Sequence, residues 1–258
     1  MNATTAAQMT RADFLKLRRK RGTLIWALVL ALGPIVIYFA VSAIEHASNP
    51  ARYGPAGGAQ NFRDGLRVIA LFFGPLAAIL IGVEAGTGDV SAGVFRDLVV
   101  TGRSRLALFA SRVPAALALC WIVMLAGYAL LAAGIFGFAS TLPTPTSTTM
   151  IDGVLFTLLG TGVLCVVAVG VASLTTSKPA AIIALIAWQV VASPLISRVS
   201  ALGDARKGVL TQAIAHFSPV PVGGDILTMS ATTAVIVLIV WVALFLGLGA
   251  WRTRTMDS

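Results

Sequence analysis

The chain has 258 residues, 57% of them hydrophobic and 11% charged, with a mean hydropathy of +0.91 and a net charge of +9. A soluble domain cannot hide that much apolar surface, because its outer face must be wetted. The composition therefore excludes a water-soluble enzyme or binding module and points to a protein of the bilayer.

The first 21 residues form a basic lead ending in Lys16-Leu17-Arg18-Arg19-Lys20-Arg21. Phe14 and Leu17 lie three apart. The lead reads either as a helix along the membrane surface, its cations near anionic lipid, or as a plain stop-transfer cluster. The apolar stretch after it is too long for a signal peptide, so it is expected to remain as an uncleaved first span.

A helical crossing needs about 20 mostly apolar residues. Six segments reach or approach that length: 23–44, 66–83, 113–139, 153–176, 180–196 and 231–251, the second and fifth being the short ones. None has an acidic or basic residue in its middle. The runs are continuously apolar rather than alternating, which predicts helices and not barrel strands. The expected fold is all-α, a single transmembrane domain over residues 1–258 with six spans.

The connections differ in character. Residues 45–65 are rich in turn formers such as Asn49-Pro50, Gly54-Pro55 and Gly57-Gly58. Residues 140–152 are Thr/Pro/Ser-rich and lack Lys and Arg. Ser177-Lys178-Pro179 is a tight turn, so the fourth and fifth spans are expected side by side and antiparallel. The segment 197–230 is too long for a plain connector. Within it Val209, Leu210, Ala213, Ile214 and Phe217 recur at helical spacing before Ser218-Pro219-Val220-Pro221 breaks the pattern.

With both termini inside, thirteen Lys and Arg fall on the cytoplasmic side and six outside. That bias is the positive-inside rule, so both termini are expected to be cytoplasmic. Trp26 and Trp251 then sit near the inner interface. Topology accounts for the basic charge without nucleic acid as a partner. Cys120 and Cys165 both lie in spans and form neither a disulfide framework nor a metal motif. Prolines 34, 75, 114 and 194 fall within or beside spans and are read as local kinks. Gly82 and Gly86 make a small-xxx-small pair suited to close helix approach.

The polar residues concentrate in 84–112, between the second and third spans. On a helix over 89–101, Val90, Val94, Phe95, Leu98 and Val99 cover about half the circumference, and Asp89, Arg96 and Asp97 much of the rest. Val100 falls on the polar side. Thr101-Gly102-Arg103-Ser104-Arg105 follows as a basic turn, and Arg112 stands at the mouth of the third span. A helix resting on lipid explains the periodicity. It explains less well why Glu84 lies at the edge of the apolar phase, where an acid is costly unless paired or wetted. Arg96, Arg103, Arg105 and Arg112 are the partners expected for it.

This layout resembles the permease subunit of an ABC transporter of the type 2 exporter family. The family pattern is an acid ending the second span, then Gly and Arg on a short helix, then a Pro-x-Ser-Arg-like turn opening the third. The matching positions are Glu84, then Gly93 and Arg96, then Thr101-Gly102-Arg103-Ser104-Arg105. Gly102 stands where the family often has Pro, and Glu84 lies further from Gly93 than usual. The resemblance implies a cytoplasmic coupling helix that docks into a separate ATPase subunit, with Glu84, Gly93, Arg96, Arg103 and Arg105 carrying the coupling. It implies a second permease chain, identical or similar, and a bacterial cytoplasmic membrane. The implied activity is export of a hydrophobic or amphipathic compound.

The absences agree with a driven permease. The chain has no Gly-x-x-x-x-Gly-Lys-Ser/Thr loop, so ATP is expected on a partner and no cofactor on this chain. It has no metalloprotease or nucleophile-elbow motif, and no catalytic residue is assigned. His46 and His216 sit in different outer segments and read as solvated side chains. The span interiors offer no ionisable group for ion coupling. The alternative is a membrane anchor or scaffold for another complex, which needs neither Glu84 nor a patterned inner helix. An importer permease would carry a Glu-Ala-Ala…Gly motif late in the chain, and Glu84-Ala85-Gly86 is early and a poor match.

Overall fold

The computed structural model describes residues 3–91, 104–221 and 227–255. The fold is all-helical, with no strand among the described residues. A lead helix, Ala3–Arg19, precedes six helices long and apolar enough to cross a membrane: Arg21–Ser48, Gly58–Gly88, Arg105–Gly137, Ser147–Thr175, Lys178–Arg198 and Ala231–Thr255.

The spans are not equivalent. The second, third and fourth have 61%, 50% and 67% of their most apolar window buried, against 22%, 22% and 17% for the first, fifth and sixth. The second, third and fourth are therefore the centre of the bundle, and the others line its outside. Ile37, Ile183 and Ile239 are exposed on those outer helices, which suits a hydrocarbon surround.

The second and fourth spans make the most extensive packing in the molecule. A Cβ at Gly82 would collide with the Cys165 carbonyl, and one at Gly86 would stand 2.6 Å from the Ala172 methyl and 2.7 Å from the Val169 carbonyl. The small-xxx-small pair thus brings two backbones together, as its spacing predicts. Polar side chains inside the bundle turn back on their own helices. Thr157, Thr161 and Ser173 donate to the carbonyls four residues earlier, at 2.8, 2.6 and 2.9 Å. Such back-bonding satisfies a hydroxyl where no water is at hand. Cys120 and Cys165 are free and buried.

The second span is longer than its apolar core. Its N-terminal end, Gly58–Arg67, buries Phe62 and Leu66 and turns Arg63 outward, so the helix continues past the run that hydropathy marks. The third span likewise begins at Arg105, where the Ser104 hydroxyl accepts the Ala107 amide at 3.1 Å.

Two spans contain a π-helical stretch, and each ends just before a proline. Val68–Phe73 precedes Pro75, and Trp188–Ala192 precedes Pro194. Proline lacks an amide hydrogen and its ring clashes with the carbonyl four residues back. A wider turn relieves that clash: the Gly74 amide bonds the Ile69 carbonyl and the Ser193 amide bonds the Trp188 carbonyl, each five residues back. Pro34 and Pro114 sit inside continuous α-helix.

The 197–230 segment folds back onto the bundle. A 3₁₀ stretch, Ser200–Gly208, leads to a short helix, Leu210–Ala215, with Leu210, Ala213 and Ile214 buried. This helix packs chiefly on the sixth span. Arg67 secures the chain just beyond this helix, donating from Nε to the Pro221 carbonyl at 2.7 Å.

Candidate functional site

Glu84 is the acid that the apolar pattern leaves unexplained, and the fold explains it. It lies near the C-terminal end of the second span with its side chain only 6% exposed. Three elements converge on its carboxylate. Thr23, at the start of the first span, donates its hydroxyl to Oε2 at 2.9 Å. Lys178 reaches the same oxygen at 2.5 Å. Lys20, in the break between lead helix and first span, stands 3.8 Å from Oε1. Lys178 also donates to the Thr23 hydroxyl at 3.5 Å, closing the network.

Local structure puts each partner in place. The fourth span ends at Thr176 in a left-handed conformation (φ 54°, ψ 2°), and Pro179 then starts the fifth. That two-residue reversal holds Lys178 at the rim of the bundle. At the other side the lead helix stops at Arg19, and Lys20 leaves helical geometry with ψ 75°. The bend turns the lead helix onto the third span, with Met9 and Leu17 buried. The lead is thus docked on protein, which neither surface attachment nor a plain charge cluster anticipates.

A second polar link holds it there. The Ser111 hydroxyl of the third span donates to Asp13 of the lead helix at 2.6 Å, and Lys16 lies 3.5 Å from the same carboxylate. Arg112, 4% exposed, directs Nη1 to the Gly86 carbonyl at 3.5 Å. Arg105 donates to the Arg254 carbonyl at 3.3 Å, which ties the third span to the end of the sixth.

Of the four arginines named as partners for Glu84, Arg105 and Arg112 bond elsewhere, and Arg96 and Arg103 lie outside the described residues. Among the described residues its ion pairs are with Lys20 and Lys178, while Arg112 reaches the Gly86 carbonyl of the same span as Glu84 and Arg105 the end of the sixth. Glu84 points back into the bundle, toward the lead helix and the turn between spans four and five. Gly93, Arg96 and Arg103, with most of the amphipathic stretch, lie outside the described residues. Lys20, Thr23 and Lys178 are the participants that sequence reasoning missed. Lys178 carried a usable signal: it is the sole cation in a turn at the same end of the bundle as Glu84.

Toward the opposite end, about 20 Å away along the second span, is a cavity of some 370 Å³. Both π-helical stretches contribute to it, through Ala70, Leu71 and Phe72 on one side and Gln189 and Val190 on the other. The Gln189 Oε1 is buried there with no hydrogen-bond partner among the described residues. Ser197, Thr211 and Gln212 add polar groups to a mainly apolar wall.

Six apolar helices, with Glu84 and Arg112 near one end as the buried charged side chains among the described residues, define a multi-pass membrane protein. Residues 10–194 match the ABC-2 family transporter protein family, from the middle of the lead helix to within the last turns of the fifth span, and the chain belongs to that family. It is therefore a transmembrane subunit of an ABC transporter, a role that implies association with an ABC-type ATPase. A search of curated proteins returned no match.

Proposed function

We propose that this chain forms the membrane path of an ATP-driven exporter of the bacterial cytoplasmic membrane. It pairs with a second permease chain, and ATP is hydrolysed on separate subunits. The cargo is a hydrophobic or amphipathic compound. The coupling element is the stretch 84–112, with Glu84, Gly93, Arg96, Arg103 and Arg105 in the transmission path and both termini on the ATPase side.

The observation that carries this reading is the Glu84 cluster. A push applied between the second and third spans must reach the rest of the bundle to open it. Glu84, bonded to Thr23, Lys20 and Lys178, joins the second span to the first, to the lead helix and to the fourth–fifth turn. Asp13 and Ser111 join that lead helix to the third span. Force entering at this end is therefore spread through stiff helices instead of lost in a loose loop. The cavity at the far end supports an amphipathic cargo, since its wall is mostly apolar with a few convergent polar groups.

Arg96→Glu provides the test. The variant is expected to insert normally, yet to lose co-purification with the ATPase or to uncouple ATP hydrolysis from export in proteoliposomes. Full transport by this variant at native expression overturns the coupling assignment. A chain that never co-elutes with an ATPase favours a membrane anchor.

A further inference from the structure

Beside the Glu84 cluster is an open pocket of about 690 Å³ between the lead-helix junction and the inner ends of the first, second and fifth spans. Its lining carries four cations, Arg19, Lys20, Arg21 and Lys178, against one acid, Glu84. That acid is already bonded to Lys20 and Lys178. Arg19 and Arg21 are exposed, and neither has an ion-pair partner among the described residues. Apart from Gly22 and Thr23, whose hydroxyl is bonded to Glu84, the rest of the wall is apolar. Leu80 forms the floor, and Trp26 and Ile182 stand on the two flanking spans. Trp26 is 63% exposed, and Ile183 beside Ile182 is 68% exposed, so the pocket opens onto the face the bundle presents to lipid.

We propose that this pocket binds the phosphate of an anionic glycerophospholipid, with an acyl chain lying along Trp26 and Ile182. The chemistry is complementary at both ends. A phosphodiester accepts charge-assisted hydrogen bonds from guanidinium groups in the fork geometry that Arg supplies. Basic pockets between helices at the membrane surface are suited to anionic head groups. Glu84 has a second role in this arrangement, holding Lys20 and Lys178 at the rim while leaving Arg19 and Arg21 for the ligand. A zwitterionic head group brings its own cation into a pocket with surplus positive charge and is disfavoured. The bound lipid bridges the lead helix to the start of the fifth span, beside the ionic cluster.

The test uses the purified full chain in neutral detergent, with no ATP, ATPase or cargo, so its failure leaves the transport reading intact. Native mass spectrometry is run with equimolar dioleoyl phosphatidylglycerol and dioleoyl phosphatidylcholine. The protein is expected to retain phosphatidylglycerol about tenfold better, and Arg19→Gln with Arg21→Gln to bring that ratio close to unity. Arg252→Gln with Arg254→Gln removes equal charge at the same end of the bundle, outside the pocket, and is expected to leave the ratio unchanged. Equal loss in both double variants means diffuse attraction and overturns the site, as does wild-type protein with no preference. If the Arg19 and Arg21 variant inserts poorly, quenching by a brominated phosphatidylglycerol decides. Wild type should be quenched more than Trp26→Phe, and equal quenching overturns the placement. Displacement of the lipid by millimolar inorganic phosphate alone means a free-anion site. Retained lipid preference in an Arg19 and Arg21 variant that no longer binds its ATPase assigns these cations to protein docking instead.

Discussion

Glu84 sits where an unpaired carboxylate would be costly, and its partners are unequally exposed: the acid is 6% exposed, Lys178 40% and Lys20 46%. Removing a partner and removing the charge itself should therefore differ. Lys178→Met leaves a buried carboxylate with one distant cation and is expected to cost about 2 kcal/mol. Glu84→Gln removes the buried charge, and its amide can still accept from Thr23, so about 1 kcal/mol is expected. Thermal unfolding in detergent, followed by intrinsic fluorescence, orders the two. A larger loss for Glu84→Gln would mean that the network does not balance a buried charge. Glu84 was legible in the sequence because an acid at the edge of an apolar run demands a partner. Which partner was not legible. Lys20 and Lys178 are 64 and 94 residues away along the chain, and only helix packing brings them to one carboxylate.

At the scale of elements, glycine and proline shape the spans. Gly86 faces Ala172 and Val169 at contact distance, whereas Gly247 on the sixth span faces nothing within 4 Å. Gly86→Leu is expected to destabilise the bundle by about 3 kcal/mol, as overpacking of a tight interface does, while Gly247→Leu stays within about 0.5 kcal/mol. Melting curves of the two variants check the contrast, and equal effects would mean that the second and fourth spans do not meet there. Hydropathy marks only the apolar part of a helix, so the second span read as short although its helix runs from Gly58 to Gly88. Its amphipathic N-terminal end buries Phe62 and Leu66 against neighbours, a fact with no signature in local hydrophobicity. The π-helical stretches before Pro75 and Pro194 show the reverse relation. There the prolines were visible as kinks, and the backbone answer to each is a wider turn. The apolar spacing from Val209 to Phe217 predicted a helix, and a shorter one forms over Leu210–Ala215, ending before Phe217. Its place against the sixth span is a matter of packing.

For the molecule as a whole, charge placement and helix count together set up a test of topology. With Cys120 and Cys165 replaced by Ala, a single cysteine at Thr144 is expected to react with an impermeant maleimide in intact cells. A cysteine at Thr4 is expected to react only after permeabilisation. The opposite pattern would invert the bundle and move the Glu84 cluster to the outer face. By itself the sequence determined the membrane class, the six spans, the family and the single acid that needed explanation. The class, the spans and the acid follow from local quantities, apolar run length and charge spacing, and the family from the resemblance that the overall layout and the residues around Glu84 carry. Only the tertiary structure decided which spans form the centre, that the lead helix docks on the third span, and that Lys20, Thr23 and Lys178 surround Glu84. Hydropathy is equally high for central and peripheral spans, because lipid and protein interior are both apolar. The order of burial comes instead from side-chain volumes meeting across helices, with glycines allowing the second and fourth spans to close.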